Sequence, residues 1–171
     1  MRRSNGLRRI AAAVALLGAA CAPVSFPGQP VGALRLSQVA DQGDAERRSS
    51  MQLVLRGLES DADARPHEAL SDYQTALRVD PGNPYAYLAL ARHHVYGRTP
   101  ERALDFLDKA ESLLRAQGAW APPVEAQVVG LRGAALFFMG RPGDAAPLLE
   151  RARTIDPWVW NDGALGAAEL R

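Results

Sequence analysis

Few side chains in this sequence have both the type and the spacing that chemistry requires. The candidate metal ligands are one cysteine, Cys21, and three histidines, His67, His93 and His94. Adjacent residues on a helix point about 100° apart, so His93 and His94 cannot share one metal ion. His67 lies far from them in sequence, in the first turn of another predicted helix. The sequence therefore predicts no metal centre.

Motifs for catalysis are equally scarce. Asp61 and Asp63 are paired carboxylates, but they fall where a predicted helix ends and turns, a place where acidic residues are usually solvated. The sequence contains no Gly-x-Ser-x-Gly nucleophile motif, no glycine-rich phosphate loop and no metalloprotease motif. We therefore expect that the protein is not an enzyme, that it needs no cofactor and that it binds no small-molecule substrate.

The composition is that of a soluble globular protein with room for one ordinary domain. The chain has 171 residues, of which 47% are hydrophobic and 23% are charged. The formal net charge of +1 misleads, because the first twenty residues contain four arginines and no acidic residue. Removing these four from the 20 basic residues leaves 16 against 19 acidic residues, a net charge of −3. We therefore expect no nucleic-acid partner.

The N-terminus has the pattern of a secretory signal peptide. A cationic segment, residues 1–9, precedes a short apolar run, residues 10–17, and then small residues. A membrane-spanning helix needs about 20 apolar residues, and this run is shorter and is stopped by Pro23. Residues 1–20 are therefore predicted to be cleaved from the mature protein.

The cysteine follows the small residues directly, in the sequence Leu17-Gly18-Ala19-Ala20-Cys21. This segment resembles a bacterial lipobox, although Gly18 stands where the motif usually has leucine. The resemblance implies cleavage before Cys21, lipidation of its thiol and attachment to a membrane. Ala22 replaces the aspartate of inner-membrane retention, which favours the periplasmic face of the outer membrane. The alternative is an ordinary signal peptide with a chance cysteine.

A tether is predicted to follow, over residues 21–48. Three prolines and two glycines within residues 22–32 cannot sustain a helix or a central strand. Residues 34–48 could contain a short helix that covers the next element, or could be loose.

The remaining sequence, residues 49–171, is repetitive. Three prolines open strongly helical stretches at intervals of 34 and 42 residues, and each is followed by alanines at matching positions: Pro66, Pro100 and Pro142, then Ala69, Ala103 and Ala145, then Ala76, Ala110 and Ala152. Upstream helical stretches carry small residues in one register, at Gly57, Ala91 and Gly133. The pattern resembles the tetratricopeptide repeat, a helix pair of 34 residues. Arg56 and Arg132 depart from it, because leucine is usual at those positions.

The resemblance implies an all-α fold, an α-solenoid of about three helix pairs at residues 50–83, 84–117 and 126–159. Ser49 or Ser50 is expected to cap the first helix, and the insert at residues 118–125 is expected to be a loop. Pro147 predicts that the last repeat helix either starts late, near Asp144, or is kinked. A closing helix over about residues 160–170 is expected to cap the last apolar face.

In the tetratricopeptide family the first helix of each pair lines a concave groove that binds other proteins. The family's groove positions fall here on apolar and aromatic residues with one strong cation: Tyr85, Leu88, Arg92, Tyr96, Phe137 and Phe138. The alternative is that these side chains are simply core. The resemblance implies an adaptor or scaffold protein that holds an envelope protein or a peptide segment of one. A factor that pilots the assembly of a pilus or secretion complex is the alternative function.

Overall fold

The computed structural model describes residues 33–171, and this part of the chain contains helices and no strands. A short 3-10 helix, Leu36–Gln38, comes first. Six longer helices follow: α1 (Ala45–Ala62), α2 (Pro66–Val79), α3 (Pro84–Tyr96), α4 (Pro100–Ala116), α5 (Pro122–Phe138) and α6 (Pro142–Ile155). Two helices of four residues end the chain: α7 (Pro157–Trp160) and α8 (Ala167–Leu170). The predicted all-α class is confirmed for these residues.

The long helices pack as sequential antiparallel pairs, α1 with α2, α3 with α4 and α5 with α6. Consecutive pairs also pack against each other, through α2 with α3 and α4 with α5. The first helices of the pairs form their own row, because α3 contacts both α1 and α5.

Proline opens five of the six long helices at the position where its missing N–H costs no hydrogen bond. In the second helix of each pair an alanine four positions into the helix is buried: Ala69, Ala103 and Ala145. The first helices carry small residues where the partner helix comes closest. A Cβ atom at Gly57 would overlap the ring of Tyr73, and one at Gly133 would crowd Leu149. Small residues therefore set how closely the helices of a pair approach.

The start of the first pair differs from the prediction. Asp44 caps α1 by accepting a hydrogen bond from the Arg47 backbone N–H at 2.8 Å, so the predicted cap at Ser49 or Ser50 is wrong. Ser50 is buried inside the pair, where its hydroxyl donates to the carbonyl of Ala76 at 2.9 Å. The residues before α1 are partly ordered against it, because the 3-10 helix packs on α1 and buries Leu36 completely.

Two further boundaries are corrected. The predicted loop at residues 118–125 is much shorter, because α4 continues to Ala116 and Pro122 already opens α5. Helix α6 starts at Pro142 and continues through Pro147, so a late start near Asp144 is wrong.

The predicted closing helix over residues 160–170 does not form. Helix α7 ends at Trp160, the chain turns at Asn161–Gly163, and α8 forms only at the end. Gly163 has a left-handed φ of +77°, a conformation that glycine adopts without steric cost and that does not continue a helix. Moreover, α8 packs against α1, at the opposite end of the row of first helices from α5.

Candidate functional site

The C-terminal segment, which we define as residues 161–171, crosses the row of first helices. We call the surface formed by α1, α3 and α5 the odd-helix face. Trp160 packs on α5 just before the segment begins, Leu165 is held by α3, and α8 packs on α1. This face, with a segment of the chain lying on it, is the candidate site.

At the α5 end, the small residue Gly130 makes room for Trp160. The indole ring is fully buried and lies where a Cβ atom at position 130 would overlap it. The indole N–H donates to the Oε1 atom of Gln127 at 3.1 Å, which satisfies the one polar atom of the ring. Trp160 therefore fixes the point from which the C-terminal segment departs.

At α3, two side chains bind the backbone of Leu165 from both sides. The backbone N–H of Leu165 donates to the hydroxyl oxygen of Tyr96 at 2.7 Å. Its carbonyl accepts a hydrogen bond from Nε of Arg92 at 2.9 Å. The Leu165 side chain itself is buried. Helix α3 therefore recognises both backbone polar groups of one residue in a defined orientation, together with the apolar side chain of that residue.

At the α1 end, the segment closes with one buried side chain and two polar contacts. Leu170 is fully buried, and the carbonyl of Arg171 accepts a hydrogen bond from the backbone N–H of Ser37 at 2.8 Å. The Arg171 guanidinium pairs with Glu59 at 3.4 Å on an exposed surface. Such an exposed pair adds little stability, so Leu170 is the principal contact at this end.

Arg92 is held in place by a carboxylate beneath it. Asp61 accepts hydrogen bonds from Nη1 of Arg92 at 3.1 Å and from the hydroxyl of Tyr73 at 3.1 Å, and its other oxygen lies 2.9 Å from Nδ1 of His93. The side chain of Asp61 is only 9% exposed and that of Arg92 only 10%. The prediction that Asp61 is a solvated residue at a helix end is therefore wrong. The ion pair orients the guanidinium so that Nε faces Leu165.

Burial and neighbouring charges keep the two tyrosine hydroxyls of this region neutral. Burial raises the pKa of Tyr73 far above its ordinary range, and the negative charge of Asp61 raises it further. Burial also raises the pKa of Tyr96, although the hydrogen bond from the backbone of Leu165 and the charge of Arg92 work in the opposite direction. Both residues are therefore hydrogen-bonding groups throughout the physiological pH range.

Of the six predicted groove residues, two are covered, one lies apart from the others, and three cluster together. Leu88 is fully buried and is a core residue here, and Arg92 is covered because the C-terminal segment lies on it. Tyr85 lies apart, beside a cleft of about 220 Å³ that Arg47 and Gln117 also line.

The remaining three form what we call the aromatic patch: Tyr96, Phe137 and Phe138. The Tyr96 and Phe138 ring centroids are 6.1 Å apart, and those of Phe137 and Phe138 are 5.9 Å apart. Phe137 and Phe138 are 56% and 55% exposed, so they are available for contact. The patch adjoins the point where Tyr96 holds Leu165.

Two functional features were not predicted from the sequence. The role of Asp61 had no local signal, because its partners Tyr73, Arg92 and His93 lie 12, 31 and 32 residues away in sequence. The departure of the C-terminal segment did have one, since Asn161-Asp162-Gly163 is a turn sequence that interrupts the predicted closing helix.

Within residues 33–171, no three side chains among histidine, cysteine, aspartate and glutamate come together in a way that could hold a metal ion. In the same residues, none of the helices combines the length and the apolar character that crossing a membrane requires. The predicted signal peptide, residues 1–20, and the predicted lipidation site, Cys21, lie outside this part of the chain.

Comparisons of the chain with protein-family models, with curated proteins and with solved structures found no match.

Proposed function

We propose that the protein is a lipid-anchored adaptor of the tetratricopeptide kind that holds a segment of another envelope protein on the odd-helix face. One observation carries this proposal. The face already holds a peptide, the chain's own residues 164–171, through hydrogen bonds between side chains and backbone and through buried leucines. These are the contacts by which a binding surface recognises a flexible segment of a partner.

The architecture supports the repeat interpretation. Ala69, Ala103 and Ala145 are buried at equivalent positions of α2, α4 and α6, and each of these helices pairs with the one before it. Equal helix pairs stacked in a row present their first helices together as one extended surface. The odd-helix face is that surface.

The aromatic patch supports binding at the same place. Large exposed aromatic side chains that cluster beside a buried arginine are the residue types enriched where protein interfaces gain most of their energy. Phe137 and Phe138 lie next to Tyr96, and the guanidinium of Arg92 lies 5.4 Å from the centre of the Tyr96 ring.

Binding rather than catalysis fits the titratable groups. Both oxygens of Asp61 are engaged, one by Arg92 and Tyr73 and the other by His93. A carboxylate already shared among three groups positions its neighbours and is poorly placed to accept a proton from a substrate.

The anchor rests on the sequence around Cys21. Residues 22–32, with three prolines and two glycines, lie between that cysteine and the 3-10 helix that packs on α1, and such a sequence is typical of an extended spacer. We propose that it holds the helix pairs away from the periplasmic surface of the outer membrane.

The test is photo-crosslinking in a bacterial host that lipidates exported proteins. A benzoyl-phenylalanine is placed at Phe138 in the full chain, and the matched control carries it at Val79, an exposed apolar residue at the end of α2. We expect one discrete adduct with an envelope protein from position 138 and none from position 79. No adduct from either position, with the protein folded and in the membrane fraction, would remove the adaptor proposal.

A further inference from the structure

We infer that the C-terminal segment is a displaceable internal occupant of the odd-helix face, which a partner segment of similar chemistry must replace. This inference rests on the proposed function, because it concerns the regulation of that same site. The partner segment it specifies has a leucine-like residue with a free backbone N–H, then small residues, and a second leucine-like residue about five positions later.

The segment has little structure of its own. Helix α8 has four residues, far fewer than the about 12 to 15 that an isolated helix needs to be even marginally stable in water. Residues 164–166 have no regular secondary structure. The odd-helix face, and not the segment itself, therefore determines its conformation, as it would for a bound peptide.

The segment can leave without disturbing the helix pairs. Asn161 and Asp162 are exposed, and the left-handed Gly163 follows them, so the chain has a turn at which to pivot. Trp160 stays behind, because its indole is fully buried against Gly130 and belongs to the packing of α5. Departure exposes surface on α1 and α3 but breaks none of the contacts within a pair.

The contacts at Leu165 define what can replace the segment. Tyr96 and Arg92 bind a backbone N–H and a backbone carbonyl, which every residue except proline provides. Specificity then comes from the buried side chains, Leu165 and Leu170, and from the small residues Gly166 and Ala167 between them.

The aromatic patch gives a partner its advantage over the internal occupant. A segment tethered by a short linker competes at an effective concentration on the order of millimolar, so an external segment needs contacts that the internal one lacks. Phe137 and Phe138 remain more than half exposed while the C-terminal segment is in place. A partner that also covers these rings gains contact area at the position next to Tyr96.

The experiment measures binding of a fluorescent peptide with the sequence of residues 161–171 to the full chain. In the wild type the internal segment competes with the peptide. In the full-length variant Leu165→Pro the internal segment lacks the N–H that Tyr96 binds. We expect the Kd of the peptide to be at least about tenfold lower for Leu165→Pro than for the wild type. The control variant Ala168→Ser, at an exposed position of α8, should bind the peptide as the wild type does.

A peptide that itself carries proline at position 165 should bind neither protein. Adding Tyr96→Phe to Leu165→Pro should remove the gain in affinity for the peptide. Equal Kd values for the wild type and Leu165→Pro would overturn the inference, provided that circular dichroism shows the helices of both.

Hydrogen exchange on the unmodified chain tests the same point without any variant. If the segment opens locally, the backbone N–H of Leu165 exchanges at least about tenfold faster than that of the buried Leu131 in α5. Equal exchange of the two would mean that the segment opens only when the whole fold does, and the inference would be wrong.

The two proposals fail in distinguishable ways. Peptide binding to Leu165→Pro without any adduct at position 138 in cells supports the internal occupant and removes the adaptor function. An adduct at position 138 that forms equally in the wild type and in Leu165→Pro, with no gain in peptide binding, keeps the adaptor and removes the internal occupant.

Discussion

The indole of Trp160 occupies the space that a side chain at Gly130 would need. The ring is fully buried, and its N–H is held by Gln127 one helical turn earlier on α5. Through this contact, a residue beyond the third helix pair is fixed to the first helix of that pair. The start of the C-terminal segment is thereby fixed on the odd-helix face.

Gly130→Ala should therefore destabilise the protein. The added methyl group overlaps the indole, and overpacking of a filled core costs about 1–3 kcal/mol of unfolding free energy. Urea unfolding followed by circular dichroism measures this loss. The matched control is Gly143→Ala near the start of α6, where an added Cβ atom meets nothing within 4 Å.

For Gly143→Ala we expect a change of no more than about 1 kcal/mol, in the stabilising direction, because alanine reduces the freedom of the unfolded chain. If Gly130→Ala proved as harmless as the control, Trp160 would not be seated on α5 as described.

Asp61→Ala should be more damaging than any change at a surface ion pair. Removing the carboxylate leaves the guanidinium of Arg92, which is only 10% exposed, without its charged partner, and such losses cost about 3–5 kcal/mol. The control is Asp63→Ala, since Asp63 is 59% exposed and pairs with Arg65 at the surface. That change should cost less than about 1 kcal/mol. Equal losses in urea unfolding would contradict the central role of Asp61.

The sequence was sufficient to predict the second helix of each pair, because the signals for these helices come from neighbours along the chain. The prolines at positions 66, 100 and 142 fix helix starts through their own φ angle and missing N–H, and the buried alanines follow from helical periodicity. Because these signals act within one helix, they predicted these individual helices, α2, α4 and α6.

Contacts between distant residues had no such signal. Arg92 was predicted to line an open groove because of its position on α3, yet Leu165, 73 residues later, covers it. The position of the Trp160 indole depends on Gly130 and Gln127, which lie a whole helix pair earlier in the sequence. Only the turn at Gly163 could have indicated that the predicted closing helix was interrupted.

His94 should make the stability of the protein depend on pH. Burial lowers its pKa below the ordinary value of about 6.5, and the nearby charges of His93 and Arg102 lower it further. The unfolded chain therefore binds the proton more readily than the folded protein. The contribution of His94 is complete above about pH 6.5 and is lost as the pH falls below that value.

The measurement is the difference in unfolding free energy between pH 7.5 and pH 5.5 for the wild type, His94→Gln and His67→Gln. His94→Gln should lose less stability over this range than the wild type. His67 is exposed, so His67→Gln should behave as the wild type does. A wild-type pH dependence that survives unchanged in His94→Gln would show that another group carries it.

Cys21→Ser should release the protein from the membrane. In the proposed anchor the protein is held by acyl chains attached at Cys21, and two or more such chains bind a bilayer stably. Without the thiol this anchor cannot form, so the attachment is lost. Metabolic labelling with a fatty-acid analogue should mark the wild type and fail with Cys21→Ser, and the protein should move to the soluble fraction. Thermal unfolding of the helix pairs, which begin at Ala45, should be unchanged.

A second variant, Cys21→Ser with Ser25→Cys, moves the thiol four positions away from the small residues that precede Cys21. It should stay unlabelled, because recognition depends on those residues and not on the thiol alone. Labelling of Cys21→Ser at the wild-type level would rule out lipidation at this cysteine and leave the odd-helix face to act without a membrane anchor.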